Sequence, residues 1–208
     1  MTETGTRSAL LTTIRVGGTT AAWEAVGFAT DDAGRMPFAN GALAFSGVEG
    51  EPGLLGIAVT GLDDVPADLE GIPLSSGDPV PMIEHPNGSY ELDHLVIVTD
   101  SLERTSAAVA EVLGHPQRRL REEGDVRQAF HRMGPGGVIV EIVERADAER
   151  VELFGVVFNT TDLDGVVARY GRDVIGEAKE ATQPGRRIAT FRSGAGLGVP
   201  TALMTPDV

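Results

Sequence analysis

Residues 91–144, ELDHLVIVTDSLERTSAAVAEVLGHPQRRLREEGDVRQAFHRMGPGGVIVEIVE, read as one strand, one helix and three more strands. Residues 92–99 are rich in β-branched side chains, which suits a strand. Asp100 followed three residues later by Glu103 has the pattern of a capping box. Leu102, Val109, Val112 and Leu113 supply the apolar side of the helix, and Gly114 with Pro116 ends it. Residues 118–122 and 127–133 read as strands, and Gly134-Pro135-Gly136-Gly137 as a turn cluster. Residues 138–143 form the last strand, apolar on both faces except for Glu141.

Glu141 alternates onto a face with Ile139 and Val143, and His94 onto one with Leu92, Val96 and Val98. An unpaired carboxylate on such a strand is costly to bury, so Glu141 should be paired, protonated or bound to a cation. Three readings of the two residues follow. They form a hydrogen-bonded pair across neighbouring strands, or part of a metal site, or a metal-free acid/base pair in which burial raises the Glu141 pKa and His94 orients it.

The rest of the chain repeats the same order. Residues 151–206 read as strand, short helix and three strands, with Thr161 and Asp164 opening the helix and Gly171 closing it. TDSLE at 99–103 matches TTDLD at 160–164, and GGVIVEI at 136–142 matches LGVPTAL at 197–203. Residues 10–62 read as a diverged copy closing on a strand at 54–60, within an N-terminal unit spanning 1–62. Residues 63–90, with Pro66, Pro73, Pro79, Pro81 and Pro86, read as a stiff linker in which His85 is a solvated loop residue. The expected fold is α+β, built of repeated βαβββ modules with cupped mixed sheets. Modules 91–146 and 151–206 make one domain of 91–206, and the odd N-terminal module packs outside it or pairs with its twin in a homodimer.

The module opened by LDHLVIVTDSLE and closed by GGVIVEIVE resembles the vicinal oxygen chelate superfamily, which includes glyoxalase I, extradiol dioxygenases, methylmalonyl-CoA epimerase and bleomycin-resistance proteins. The resemblance implies a cup around a divalent metal (Zn, Ni, Mn or Fe), with one ligand from the first and one from the last strand of each module. Those positions fall on His94 and Glu141, which are also the expected catalytic residues. In the following module they fall on Gly155 and Ala202, neither of which can ligate. Gln128, His131 and Glu152 are further candidates to complete a metal shell. Gln128 and His131 point to opposite faces of their strand, so at most one enters the cup. Gln128, His131, Arg127 and Arg187 are the expected substrate contacts, the arginines as carboxylate or phosphate holders.

Two functions remain open. One is a glyoxalase-like lyase, isomerase or oxygenase acting on a small carbonyl- or hydroxyl-bearing metabolite. The other is a metal-free protein of the drug-sequestering type, or an inactive relative. Composition narrows the partners. The formal charge of −14 disfavours nucleic acid and anionic membranes. No cysteine is present, which removes disulfides and thiolate chemistry. The start of the chain lacks the pattern of a leader, and no run is long and apolar enough to span a bilayer, so a cytoplasmic protein is expected. Residues 194–198, GAGLG, lie between strands with no following helix and are no dinucleotide fingerprint.

Overall fold

The computed structural model describes residues 8–207. Its first sheet contains β1 (Leu10–Val16), β2 (Arg35–Phe38), β3 (Gly41–Phe45), β4 (Leu54–Thr60), β5 (Asp68–Leu69) and β6 (Ile72–Ser76), with the short helix α1 (Ala21–Ala25) after β1. The strand order is β2-β3-β1-β4-β6-β5. The second sheet contains β7 (Ser89–Thr99), β8 (Gln117–Glu123), β9 (Val126–Arg132), β10 (Ile139–Glu144), β11 (Glu152–Thr160), β12 (Lys179–Glu180), β13 (Arg187–Thr190) and β14 (Thr201–Met204). Helices α2 (Leu102–Leu113) and α3 (Leu163–Tyr170) follow β7 and β11. Its order is β12-β13-β14-β11-β7-β10-β9-β8.

In the second sheet each module runs outward from its first strand. β10 lies parallel to β7 and β14 parallel to β11, while β7 and β11 meet antiparallel at the centre. The first sheet repeats this plan. β3 is parallel to β1, β6 is parallel to β4, and β1 meets β4 antiparallel. So β4 is not the closing strand of an N-terminal module. A closing strand would lie parallel to β1, and β4 instead opens a fourth, helix-less half-unit. Residues 63–90 are not all linker, because β5 and β6 fall inside them. The half-units pair two and two within the chain, so no module is left without a partner.

The match extends to single residues. In the second sheet Asp93 is an extra residue on β7 and Phe154 on β11. In the first, Thr12 is the extra residue on β1 and Leu55 on β4. The registers agree: His94 pairs with Val157 and Val96 with Gly155, as Thr13 pairs with Ala58 and Arg15 with Gly56. Both glycines are imposed by packing. A Cβ at Gly155 would lie 2.6 Å from the Pro200 carbonyl oxygen, and one at Gly56 would lie 2.5 Å from that of Pro73. The positions in the first sheet that correspond to His94, Glu141, Gly155 and Ala202 are therefore Thr13, Ala44, Gly56 and Ser75, and none carries a strong ligand.

The sheets stand back to back. Alternation sends Ile14, Leu43, Ile57 and Val59 from the first sheet, and Leu95, Ile97, Val140, Ile142, Val156 and Phe158 from the second, into one shared core. Phe158 of β11 contacts Trp23, Phe28 and Phe38, with ring centroids 6.2, 5.0 and 4.8 Å away. His85 belongs to this core rather than to solvent. Its Nδ1 accepts from the Ala29 N–H at 2.9 Å, its Nε2 donates to the Pro37 carbonyl at 3.0 Å, and its ring stacks on Phe38 at 4.4 Å.

Helix starts differ from the sequence reading by one residue. Ser101 is the N-cap of α2, and the Leu102 N–H donates to Glu144 of β10 at 3.0 Å. Asp100 pairs instead with Arg104. For α3 the cap is Asp162, which accepts from the Gly165 N–H at 3.0 Å. Gly114 ends α2 in the left-handed region, φ 71°, as its position suggested.

Candidate functional site

The outward, concave face of the second sheet holds the candidate site. Strict alternation would put Asp93 and His94 on opposite faces of β7. The bulge at Asp93 cancels this, which is what an extra strand residue does. Leu92 and Leu95 then point to the core, while His94 borders the cup and the Asp93 carboxylate lies beside its ring. This corrects the expectation that Leu92 and His94 share a face. Glu141 alternates out of β10 with Ile139, opposite the buried Val138, Val140 and Ile142.

These side chains form one hydrogen-bonded series. The Asp93 Oδ2 lies 2.8 Å from His94 Nδ1, and His94 Nε2 lies 3.2 Å from Glu141 Oε2. The Gln128 amide donates to Glu141 Oε1, and Arg121 donates to Gln128 Oε1 at 2.9 Å. Behind Asp93, the buried Arg186 donates to Asp93 Oδ1 at 2.7 Å, to Asn159 Oδ1, and to the Thr205 carbonyl at 2.8 Å.

Burial alone would push the Asp93 carboxyl up, but hydrogen bonds and charge from His94 and Arg186 outweigh it and hold its pKa at about 2. Asp93 is thus an anion that accepts the Nδ1 proton of His94. Burial pushes the Glu141 carboxyl the other way, upward, and the pull of His94, Arg121 and Gln128 does not cancel it.

A cavity of about 520 Å³ opens over this pair. β8 and β12, opposite edges of the sheet, both contribute to its wall, so the sheet curls into a cup. On the far side Ile188 and Met204 border the cavity among polar residues, backed by the buried cluster of Val157 and Ala202.

Of the residues singled out in the sequence, His94, Glu141 and Gln128 come together here. His131 borders the cavity, but its side chain is buried toward α2, bonded to Ser106 Oγ at 2.9 Å and the His115 carbonyl at 2.8 Å. Arg127 lies outside, paired with Glu103, Glu122 and Glu144. Arg187 pairs with Asp164 at 2.8 Å on the exposed surface, and Glu152 pairs with Arg150. Asp93 and the arginines of β8 were missed. The adjacent pair Asp93-His94 was visible, but alternation separated them, and only the bulge unites them.

The metal implied by the resemblance finds a poor donor set. Two of its positions hold His94 and Glu141, already bonded to each other. The other two are Gly155, where any Cβ would collide with Pro200, and Ala202 in the buried apolar cluster. Among the described residues no group of three or more His, Asp or Glu side chains converges as a metal shell. The residues do not fit a catalytic metal, which takes about three protein ligands and an open position.

No family model matches the sequence, and no curated protein matches it. Solved structures do match. Methylmalonyl-CoA epimerase from Mycobacterium tuberculosis aligns with TM-score 0.52 at 17% identity over 61% of this chain and 94% of its own. This chain has the vicinal oxygen chelate fold. Two further matches with the fold score lower. A variant of Streptomyces coelicolor methylmalonyl-CoA epimerase in complex with 2-nitronate-propionyl-CoA gives 0.48 at 20% identity, over 58% of this chain and 99% of its own. A hypothetical protein from Bacillus halodurans gives 0.47 at 13%, over 57% and 95%. At 17% identity the likeness to the Mycobacterium tuberculosis enzyme shows the fold alone and leaves the chemistry to the residues of the cup.

Proposed function

We propose that the cup binds a small metabolite and that Glu141 takes a proton from it and returns it without a metal, as in a lyase or isomerase. The observation that supports this is the series Asp93–His94–Glu141, which ends on a carboxyl raised by burial at the cavity floor. Asp93 fixes the His94 ring, and His94 holds Glu141. The Glu141 carboxylate accepts a proton from a carbon next to a substrate carbonyl. The C–H electron pair stays on the substrate as an enolate, and Glu141 becomes the neutral acid that its buried site favours. Arg121, on the same wall, supplies positive charge facing the enolate. Return of the proton to the same or a neighbouring carbon completes the turnover. General-base steps of this kind contribute about 10²–10⁴-fold in rate.

A second reading, ligand sequestration without chemistry, draws on the apolar side chains that border the cavity, Phe130, Ile139, Ile188 and Met204. Deuterium wash-in separates the two. Chelator-treated protein is incubated in D₂O with small carbonyl metabolites that raise its melting temperature, and the ligand C–H signals are followed by NMR. The proton-transfer reading expects exchange that survives the chelator and falls at least about a hundredfold in Glu141→Gln. Ligands that bind without any exchange would leave sequestration as the function.

A further inference from the structure

We infer that the ligand of this cup is an anion, a metabolite bearing a carboxylate or phosphate group that is held at the rim by Arg118, Arg119, Arg132 and Lys179. The inference rests on the cavity being the ligand site, and it adds the class of ligand. The chain has 31 acidic and 17 basic residues, so carboxylates are in excess over the cations they can pair with. Arg35, Arg104, Arg121, Arg127, Arg145, Arg150, Arg172, Arg186 and Arg187 are all paired with Asp or Glu. Seven described cations have no carboxylate partner among the described residues: Arg15, Arg169 and Arg192, the last two bonded to backbone carbonyls, and Arg118, Arg119, Arg132 and Lys179, which all line this cavity.

They arrive from opposite edges of the sheet. Lys179, the chain's single lysine, lies on β12. Arg118 and Arg119 lie on β8, where the pairing with β9 skips between Gln117 and Arg119. That irregularity brings Arg118 to the cavity beside Arg119, which alternation would have separated, while Arg119 also rests over the Phe130 ring at 5.9 Å. Two carboxylates, Glu141 and Glu180, border the same space. Glu141 sits at the floor and is spoken for by His94 and Gln128, which leaves the rim positive. On a molecule of net charge −14, an anion is repelled at long range, so a local cluster of free guanidinium groups is what would let one dwell here. Arginine forks suit planar, bidentate recognition of carboxylate and phosphate.

The test is calorimetric binding to full-length Glu141→Gln, in which no proton moves, so the result is independent of catalysis. The probes are inorganic phosphate, a phosphate monoester, a series of small dicarboxylates, and the neutral diamides of the same skeletons. We expect an acid to bind, its diamide not to, and affinity to fall as salt rises. Adding Arg118→Gln and Arg119→Gln should weaken binding about tenfold or more, while the exposed Arg150→Gln should leave it unchanged. Preference for a dicarboxylate identifies an organic acid, and preference for the monoester a phosphorylated metabolite. Diamides that bind as well as the acids, or full affinity in the double arginine variant, would overturn the inference. Anion binding in a protein whose wild type shows no proton exchange would retain it and reject the proton-transfer reading instead.

Discussion

Asp93 and Glu141 are two carboxyls on opposite nitrogens of the His94 ring whose pKa values move in opposite directions, and their effects on stability have opposite signs. Asp93 is held at about 2 against an ordinary 3.8. Its contribution is fully present above pH 3.8 and is lost as pH falls through the folded value. Asp93→Asn removes the only carboxylate paired with the buried Arg186 among the described residues. Breaking such a pair costs about 3–5 kcal/mol, and urea unfolding at pH 7 should show a loss of that order. Glu141 is raised above 4.5. Its favourable state is the neutral one, present at low pH and lost as pH rises through the folded value. Glu141→Gln, which keeps the shape without the charge, should therefore raise the melting temperature at pH 7 and change it little near pH 4. Equal or opposite effects at the two pH values would show that burial does not control this carboxyl.

At the scale of elements, the strands and helices were largely legible, and the bulges were not. The apolar run at 138–143 and Gly114 after the helix marked β10 and the end of α2 within a residue, and the β-branched run at 92–99 marked the end of β7 but began three residues late, because periodicity and punctuation are local signals. Glu141 could be placed in the cup on alternation alone. His94 could be placed there too, but with Leu92 wrongly beside it, since an extra residue at Asp93 leaves no mark on composition. Arg127 and Arg187 were misread for a different reason. A strand-start arginine looks the same whether it faces a cavity or, as here, Glu103 and Asp164. Gly155 illustrates what structure adds. The sequence shows a missing ligand, and the geometry shows why none can be restored, because Pro200 occupies the space of any side chain. Gly155→Ala should destabilise the protein by about 1–3 kcal/mol, as overpacking does. An unchanged denaturation midpoint would mean that β11 and the Pro200 turn separate easily.

The whole molecule is two cupped sheets sharing one core, each built from two half-units about an antiparallel central pair. Only the half-unit of residues 91–144 keeps functional groups at both of its inward positions. The first sheet matches it in register and bulges but presents Thr13, Ala44, Gly56 and Ser75, and it covers the convex side of its partner. Phe158, at the junction, holds the two sheets together through Trp23, Phe28 and Phe38. Phe158→Ala should cost about 3–5 kcal/mol. Monitored through Trp23 fluorescence and through far-UV circular dichroism, unfolding should remain a single transition at a lower midpoint. Separate transitions for the two signals would show that the sheets fold independently.

We propose that the cup moves a proton through Glu141 without a metal. Elemental mass spectrometry of untagged protein, after incubation with Zn²⁺, Ni²⁺, Mn²⁺ or Fe²⁺ and gel filtration, tests it most directly. The account predicts far less than one equivalent of any metal, with the same trace in His94→Ala and Glu141→Ala. Near-stoichiometric metal in the wild type, lost in both variants, would contradict it.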